Sequence, residues 1–233
     1  MTKYINSVAI AAALTMGMAA GAHAASFTLV DGGAVGDFDP GDIPGGSATN
    51  EVLTQLGLPD PLGGFFGSAV EVEGTDIRVV AEFFGWEAGF TNDFNLLGAS
   101  SVFSTGSGGN QVIAPDLSNP LDTYISAVFD AGPNTLLDFS FDTDTTDTNI
   151  TITNGDDNIG DRGFFATFGD DQTTTGTVLW LFLDDSGAGP DDNHDDLVVR
   201  LTVEQVPLPA AGFLLIGALG ALGAAKRRSR KKA

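Results

Sequence analysis

Apolar and polar residues alternate along much of this chain with the two-residue period of a half-buried strand. Ser26–Val30 is the first such run. Ala69–Val72 and Ile77–Phe84 follow, the second rich in β-branched and aromatic residues. Tyr124–Phe129, Leu136–Phe141, Ile150–Thr153, Phe164–Phe168, Thr177–Leu183 and Leu197–Val203 complete the set. Pleated backbone points successive side chains to opposite faces, so these runs predict strands, with Leu197, Val199, Leu201 and Val203 sharing one face. Clusters of Gly, Asp, Asn and Thr separate the runs, which is turn chemistry. Asn50–Leu56 differs: Val52, Leu53 and Leu56 group at helical spacing and Gly57 supplies a stop, predicting a short helix. The pattern as a whole predicts a mainly β protein, a single antiparallel β-sandwich or jelly-roll-like domain over residues 25–205. Most of the 17 phenylalanines fall in these runs and are its expected core.

Both ends break the strand pattern. At the start, Lys3 precedes a small and apolar run from Val8 to Ala20, interrupted only by Thr15 and Gly17, and Ala22-His23-Ala24 follows. Basic start, apolar middle and small-x-small end together predict a secretory signal helix over residues 1–24. Signal peptidase would cleave it after Ala24, Ala22 and Ala24 filling its shallow subsites. At the far end, Ala210–Ala225 gives 16 uninterrupted apolar or small residues, followed at once by a tail of six cations over residues 226–232. As a transmembrane helix that run spans about 24 Å at 1.5 Å per residue, short against a bilayer core of about 30 Å. Six cations resist translocation and predict a cytoplasmic tail, an inner-membrane helix and an exported domain. A buried C-terminal helix is the competing reading, but it leaves the adjoining basic run unexplained.

Val206-Pro207-Leu208-Pro209-Ala210, a Gly-rich apolar run and a basic cluster occur here in that order. This tripartite segment, residues 206–233, resembles the VPLPA-type variant of the PEP-CTERM sorting signal, carried by exported proteins of Gram-negative bacteria that make exopolysaccharide. The resemblance implies recognition by an exosortase-type membrane enzyme, cleavage near the motif, and release or transfer to the cell surface. The hydrophobic segment then serves transit through the membrane rather than permanent anchoring.

Negative charge is confined to the middle of the chain. All 31 acidic residues lie between Asp31 and Glu204, against only Arg78, Arg162 and Arg200, a net charge of −28 for this region compared with −21 for the whole chain. Such a body repels phosphates, which opposes nucleic-acid binding. Two readings of the acidity stay open, solubility in salt and clustered carboxylates that take up cations. No cysteine occurs, so stability rests on core burial, with or without a metal.

Two segments carry candidate chemistry. The first, Trp86–Phe94, reads as a structured turn in which Gly89 takes an unusual backbone angle and Asn92 or Asp93 acts as a cap; the alternative is that Trp86 stacks on a sugar face. The second is Asp184–Asp196, where Asp184, Asp185, Asp191, Asp192, Asn193, Asp195 and Asp196 surround a Gly-Pro turn between two strong strands. Calcium takes six to eight hard oxygens, which Asp184, Asp185, Asp191, Asn193, Asp195 and Asp196 could supply. Asp191, Asn193 and Asp195 match the start of an EF-hand loop, but Asp196 stands where its glycine belongs and Thr202 where its glutamate belongs. The alternative is a solvated polar hairpin that caps its own backbone, with His194 a hydrated loop residue.

Glu87–Asn92 and Asp191–Arg200 also resemble an "EAG-[FY]-x-N" turn and a final acidic "DDNHDD" hairpin of uncharacterised PEP-CTERM-type exported proteins. That resemblance implies a shared β-rich fold and carries no activity.

No catalytic set is expected. Cysteine is absent, no Gly-x-Ser-x-Gly elbow accompanies His194, one mature histidine is too few for the usual zinc sites, and a phosphate loop lacks its lysine. Three function classes follow. The first is a non-enzymatic surface or extracellular-matrix protein associated with exopolysaccharide or biofilm. The second is a calcium-dependent carbohydrate-binding module. The third is a secreted glycan-active enzyme using a carboxylate pair.

Overall fold

The computed structural model describes residues 24–30, 34–38, 52–106, 109–110, 117–144, 149–155, 163–185 and 194–206, with isolated positions 217 and 220. The described residues form β1 (Ser26–Val30), β2 (Ala34–Phe38), the short helix α1 (Val52–Leu56), β3 (Leu62–Phe66), β4 (Ala69–Gly85), β5 (Glu87–Ala88), β6 (Thr91–Leu96), β7 (Ala99–Ser104) and β8 (Gly109–Asn110). Then come β9 (Asp122–Ile125), β10 (Phe129–Leu136), β11 (Phe139–Asp144), β12 (Asn149–Thr153), β13 (Gly163–Thr167), β14 (Thr175–Gly176), β15 (Val178–Asp184) and β16 (Leu197–Gln205). The expectation of a mainly β, antiparallel protein holds. No helix among the described residues is long and apolar enough to cross a membrane. The expected signal segment up to residue 23 and nearly all of the expected span 210–225 lie outside the described residues.

A ten-stranded antiparallel sheet runs β14-β1-β4-β16-β15-β13-β3-β2, with β9 and β10 also pairing with β4, and it curls into a half-barrel. A four-stranded sheet, β12-β11-β6-β7, lies against it, and β5 pairs with β8. Phe94, Leu96, Phe103, Phe139, Phe141 and Ile152 of the smaller sheet share one core with residues such as Phe27, Val72, Val79, Phe83, Leu181 and Val199 of the larger. Edge-on contact between Phe139 and Phe164 at 5.4 Å and stacking of Phe83 on Phe103 at 5.4 Å join the sheets ring to ring. Each fully buried Phe contributes about 1.5–3 kcal/mol through burial alone. The larger sheet's other face holds Phe84, Phe165, Trp180, Phe182 and Val198 beneath Val52, Leu53 and Leu56 of α1. Burial on both faces explains why β15 reads as a continuous apolar run rather than an alternation.

β4 is the central scaffold. The expected strands Ala69–Val72 and Ile77–Phe84 are one strand, and its apolar set changes parity midway. Val70 and Val72 face the core, as do Ile77 and Val79, and one irregularity between them is needed to keep both pairs on the same face. It falls at Gly74 (φ 148°) and Asp76 (φ 51°). The backbone groups of Asp76 are both satisfied: its N–H donates to Asp130 Oδ1 at 2.8 Å, and its C=O accepts from Val206 N–H at 2.7 Å. Further along, Glu82 of β4 stands opposite Arg200 of β16 and accepts its Nε–H at 2.8 Å. The Arg200 guanidinium lies over the Phe84 and Trp180 rings at 4.9 and 5.4 Å.

Several boundaries differ from expectation. Tyr124–Phe129 is broken after Ile125, where Ser126 Oγ accepts from Val79 N–H at 2.9 Å. Leu136–Phe141 straddles the junction of β10 and β11. β10 carries Gly and Pro and pairs only with β4 among the described strands, an edge position where such residues are tolerated. Asn154, beyond β12, accepts from Val70 N–H and donates to Val70 C=O and Leu137 C=O at 2.7–2.8 Å, tying the smaller sheet to β4 and the end of β10.

Gly64 shows how tightly β3 packs on β13. A methyl group there would stand 2.5 Å from Phe165 Cζ and 2.8 Å from Ala166 O. Gly64→Ala is expected to lower unfolding free energy by about 1–3 kcal/mol in urea titrations. Gly89→Ala, where the added methyl meets nothing within 4 Å, is expected to leave it unchanged.

Candidate functional site

The hairpin of β15 and β16 carries its aspartates inward. Leu183 pairs with Leu197, and Asp196 N–H donates to Leu183 C=O at 3.1 Å, so the ladder extends past the strand ends. That continuation holds Asp184, Asp185, Asp195 and Asp196 in the interior, with 0, 2, 1 and 2% of their surface exposed. The expected solvated hairpin is therefore wrong at both of its described ends. His194 is also buried rather than hydrated, its ring edge-on to Phe66 at 5.1 Å and its backbone at φ 48°. Asp191, Asp192 and Asn193 lie outside the described residues.

Polar groups from the smaller sheet meet these aspartates. Asn92 of β6 is fully buried, and its Nδ2–H donates to Asp185 Oδ2 at 2.6 Å. Asp185 N–H in turn donates to Asp196 Oδ2 at 2.7 Å. Glu87 N–H donates to Asp195 C=O at 2.9 Å, fixing the hairpin end against β5. Thr105 Oγ1 accepts from Asn92 N–H at 2.7 Å, while Thr143 of β11 stands directly opposite Asn92 in the ladder. Asn92 Oδ1 and Thr143 Oγ1 are both buried and meet no hydrogen-bond partner among the described residues. The result is a dense set of hard oxygens where the two sheets come together. No group of three or more His, Asp or Glu among the described residues is arranged to hold a metal ion, so any cation here would rely on neutral oxygens as well.

Asn92 and Thr143 were not expected in a site. Trp86–Phe94 reads as a turn in sequence, but Thr91–Leu96 is a strand and Asn92 is one of its core-facing residues rather than a cap. The unusual backbone angle falls at Gly85 (φ 139°) and not at Gly89. The available signal was phase: Asn92 shares parity with Phe94 and Leu96, and Thr143 with Phe139 and Phe141, so both lie on the core side of their strands. Trp86 is half-buried, with one face stacked on Phe83 at 5.7 Å. Of the expected processing motifs, Ala24 is exposed, and Val206 N–H is bonded to Asp76. Ala22 and Pro207-Leu208-Pro209-Ala210 lie outside the described residues.

Comparison with protein-family models, curated proteins and solved structures finds no match to this chain.

Burial, reinforced by the charges of Asp185, Asp195 and Asp184, pushes the Asp196 carboxyl well above the usual carboxylate range, against the opposing pull of the Asp185 N–H. A raised folded pKa means that the native state holds this proton more tightly than the unfolded chain. Its stabilising contribution is complete below the unfolded value of about 3.9 and is lost as pH rises through the folded value. Asp196→Asn removes that dependence while keeping an acceptor for Asp185 N–H. In chelator-treated buffer, the variant is expected to match wild type near pH 3.5 in thermal melts. Its melting temperature should exceed that of wild type increasingly toward pH 7.

Proposed function

We propose that this chain is an exported, non-enzymatic surface or extracellular-matrix protein associated with exopolysaccharide. Its body is a jelly-roll-like β-sandwich, delivered by the N-terminal signal segment and sorted through Val206–Ala210 by an exosortase-type enzyme. The observation that supports this reading is that the described core begins just after Ala24 and ends just before the Val206–Ala210 segment. Exposed Ala24 is followed at once by buried Ala25 and by β1, whose Phe27 and Leu29 enter the core. At the other end, β16 closes at Gln205 and the Val206 N–H makes the last described backbone bond of that strand region. Cleavage after Ala24 and near Pro209 would therefore leave every described core contact in place. A marginal apolar run with six following cations suits transient membrane insertion better than durable anchoring.

Intact-mass measurement of protein from membrane and medium fractions tests the reading. The medium form is expected to begin at Ala25 and end near Pro209. A single membrane-bound form ending at Ala233 would replace sorting with simple anchoring. Depolymerisation of a polysaccharide by the purified protein would show an enzyme instead.

A further inference from the structure

The interior aspartates are joined by groups whose chemistry points to a specific occupant. Asp185 and Asp196 are linked through the Asp185 N–H, and Asn92 Nδ2 holds Asp185 from the opposite sheet. That bond fixes the Asn92 amide, so its oxygen is set beside the nitrogen that Asp185 engages. Asn92 is 0% exposed, and Oδ1 meets no donor among the described residues. Thr143 Oγ1 is in the same position on the neighbouring strand. A buried amide oxygen without a donor costs about 1–3 kcal/mol. A cation answers both requirements, because it offsets clustered negative charge and takes neutral oxygens as ligands.

We propose that Asp185, Asp196 and the Asn92 amide oxygen are protein ligands of one hard divalent cation, calcium, at the junction of the two sheets. The Thr143 hydroxyl, buried without a partner among the described residues and opposite Asn92 in the ladder, is the next candidate oxygen. A hydrogen bond occupies one lone pair, and a carboxylate offers about four, so accepting from Asn92 or from Asp185 N–H is compatible with coordinating a cation. Calcium fits better than magnesium, which keeps several waters and demands near-octahedral geometry, whereas this interior offers mixed protein oxygens. The ligand set differs from a loop-only site: it draws on the β15–β16 hairpin of one sheet and on β6 of the other. Calcium therefore acts as a clamp between the sheets, and binding should raise resistance to unfolding. The proposal stands independently of export and sorting.

The test uses the full-length chain in detergent, stripped with chelator and then titrated with calcium chloride by calorimetry and followed in thermal melts. Wild type is expected to bind one equivalent above a weak background from its acidic surface, with a rise in melting temperature that magnesium does not reproduce. Asp196→Asn and Asp185→Asn are each expected to weaken the stoichiometric event at least tenfold, with near-ultraviolet circular dichroism in chelator confirming that they are folded. Asp196→Asn is the key variant, since asparagine keeps an acceptor for Asp185 N–H while removing the carboxylate. A melting temperature indifferent to calcium would overturn the proposal. So would a calcium response of equal size in wild type and both variants, or an equal response to magnesium.

Discussion

Carboxylates in a protein interior must be neutralised, paired or hydrogen-bonded, and the placement of Asp184, Asp185, Asp195 and Asp196 imposes that requirement on the rest of this structure. The hairpin ladder past Leu183 and Leu197 carries them inward. Asn92 then occupies a core-facing strand position that an apolar residue would otherwise fill, and Thr143 stands beside it. Asp196 holds its proton far more tightly than an exposed acid, because burial and three like charges outweigh one N–H donor. This polar cluster in the core is thus also one of the places where side chains join the two sheets.

Around this centre, ordinary packing accounts for the architecture. Phenylalanine rings from both sheets form one continuous core, with Phe139 and Phe141 of the smaller sheet each reaching Phe164 of the larger. β4 organises the larger sheet, and its bulge at Gly74–Asp76 keeps both halves of its apolar set on the inner face. Asn154 fixes the smaller sheet's edge to β4 by three backbone bonds. The sheets are therefore held at one end by Asn154 and at another by the aspartate centre, with aromatic rings between.

Elements with an uninterrupted pattern were legible in the sequence. β1, β12, β13, β15 and β16 lie within a residue or two of their expected positions, and α1 buries the same three residues that its spacing picked out. The losses have physical causes. β6 and β3 carry Asn, Asp and Gly, which resemble turn chemistry, yet Asn92 is a buried strand residue and Gly64 is small because Phe165 occupies the adjacent space. β10 sits at an edge, where pairing with one neighbour imposes little pattern. The Asp184–Asp196 segment was recognisable as acidic and hairpin-like, but its burial was not, because burial is imposed by a sheet distant in sequence. Asn92 and Thr143 are not recognisable as site residues in sequence for the same reason: the acid that Asn92 engages, Asp185, is 93 positions away.

A sheet-joining cation centre is the claim on which this account depends most. Its most direct test is a crystal structure grown in calcium, with anomalous diffraction data to identify the metal. One calcium peak is expected at about 2.3–2.6 Å from Asn92 Oδ1 and from carboxylate oxygens of Asp185 and Asp196. A structure showing no peak at that position, with Asp196 hydrogen-bonded as a neutral acid in saturating calcium, would contradict it.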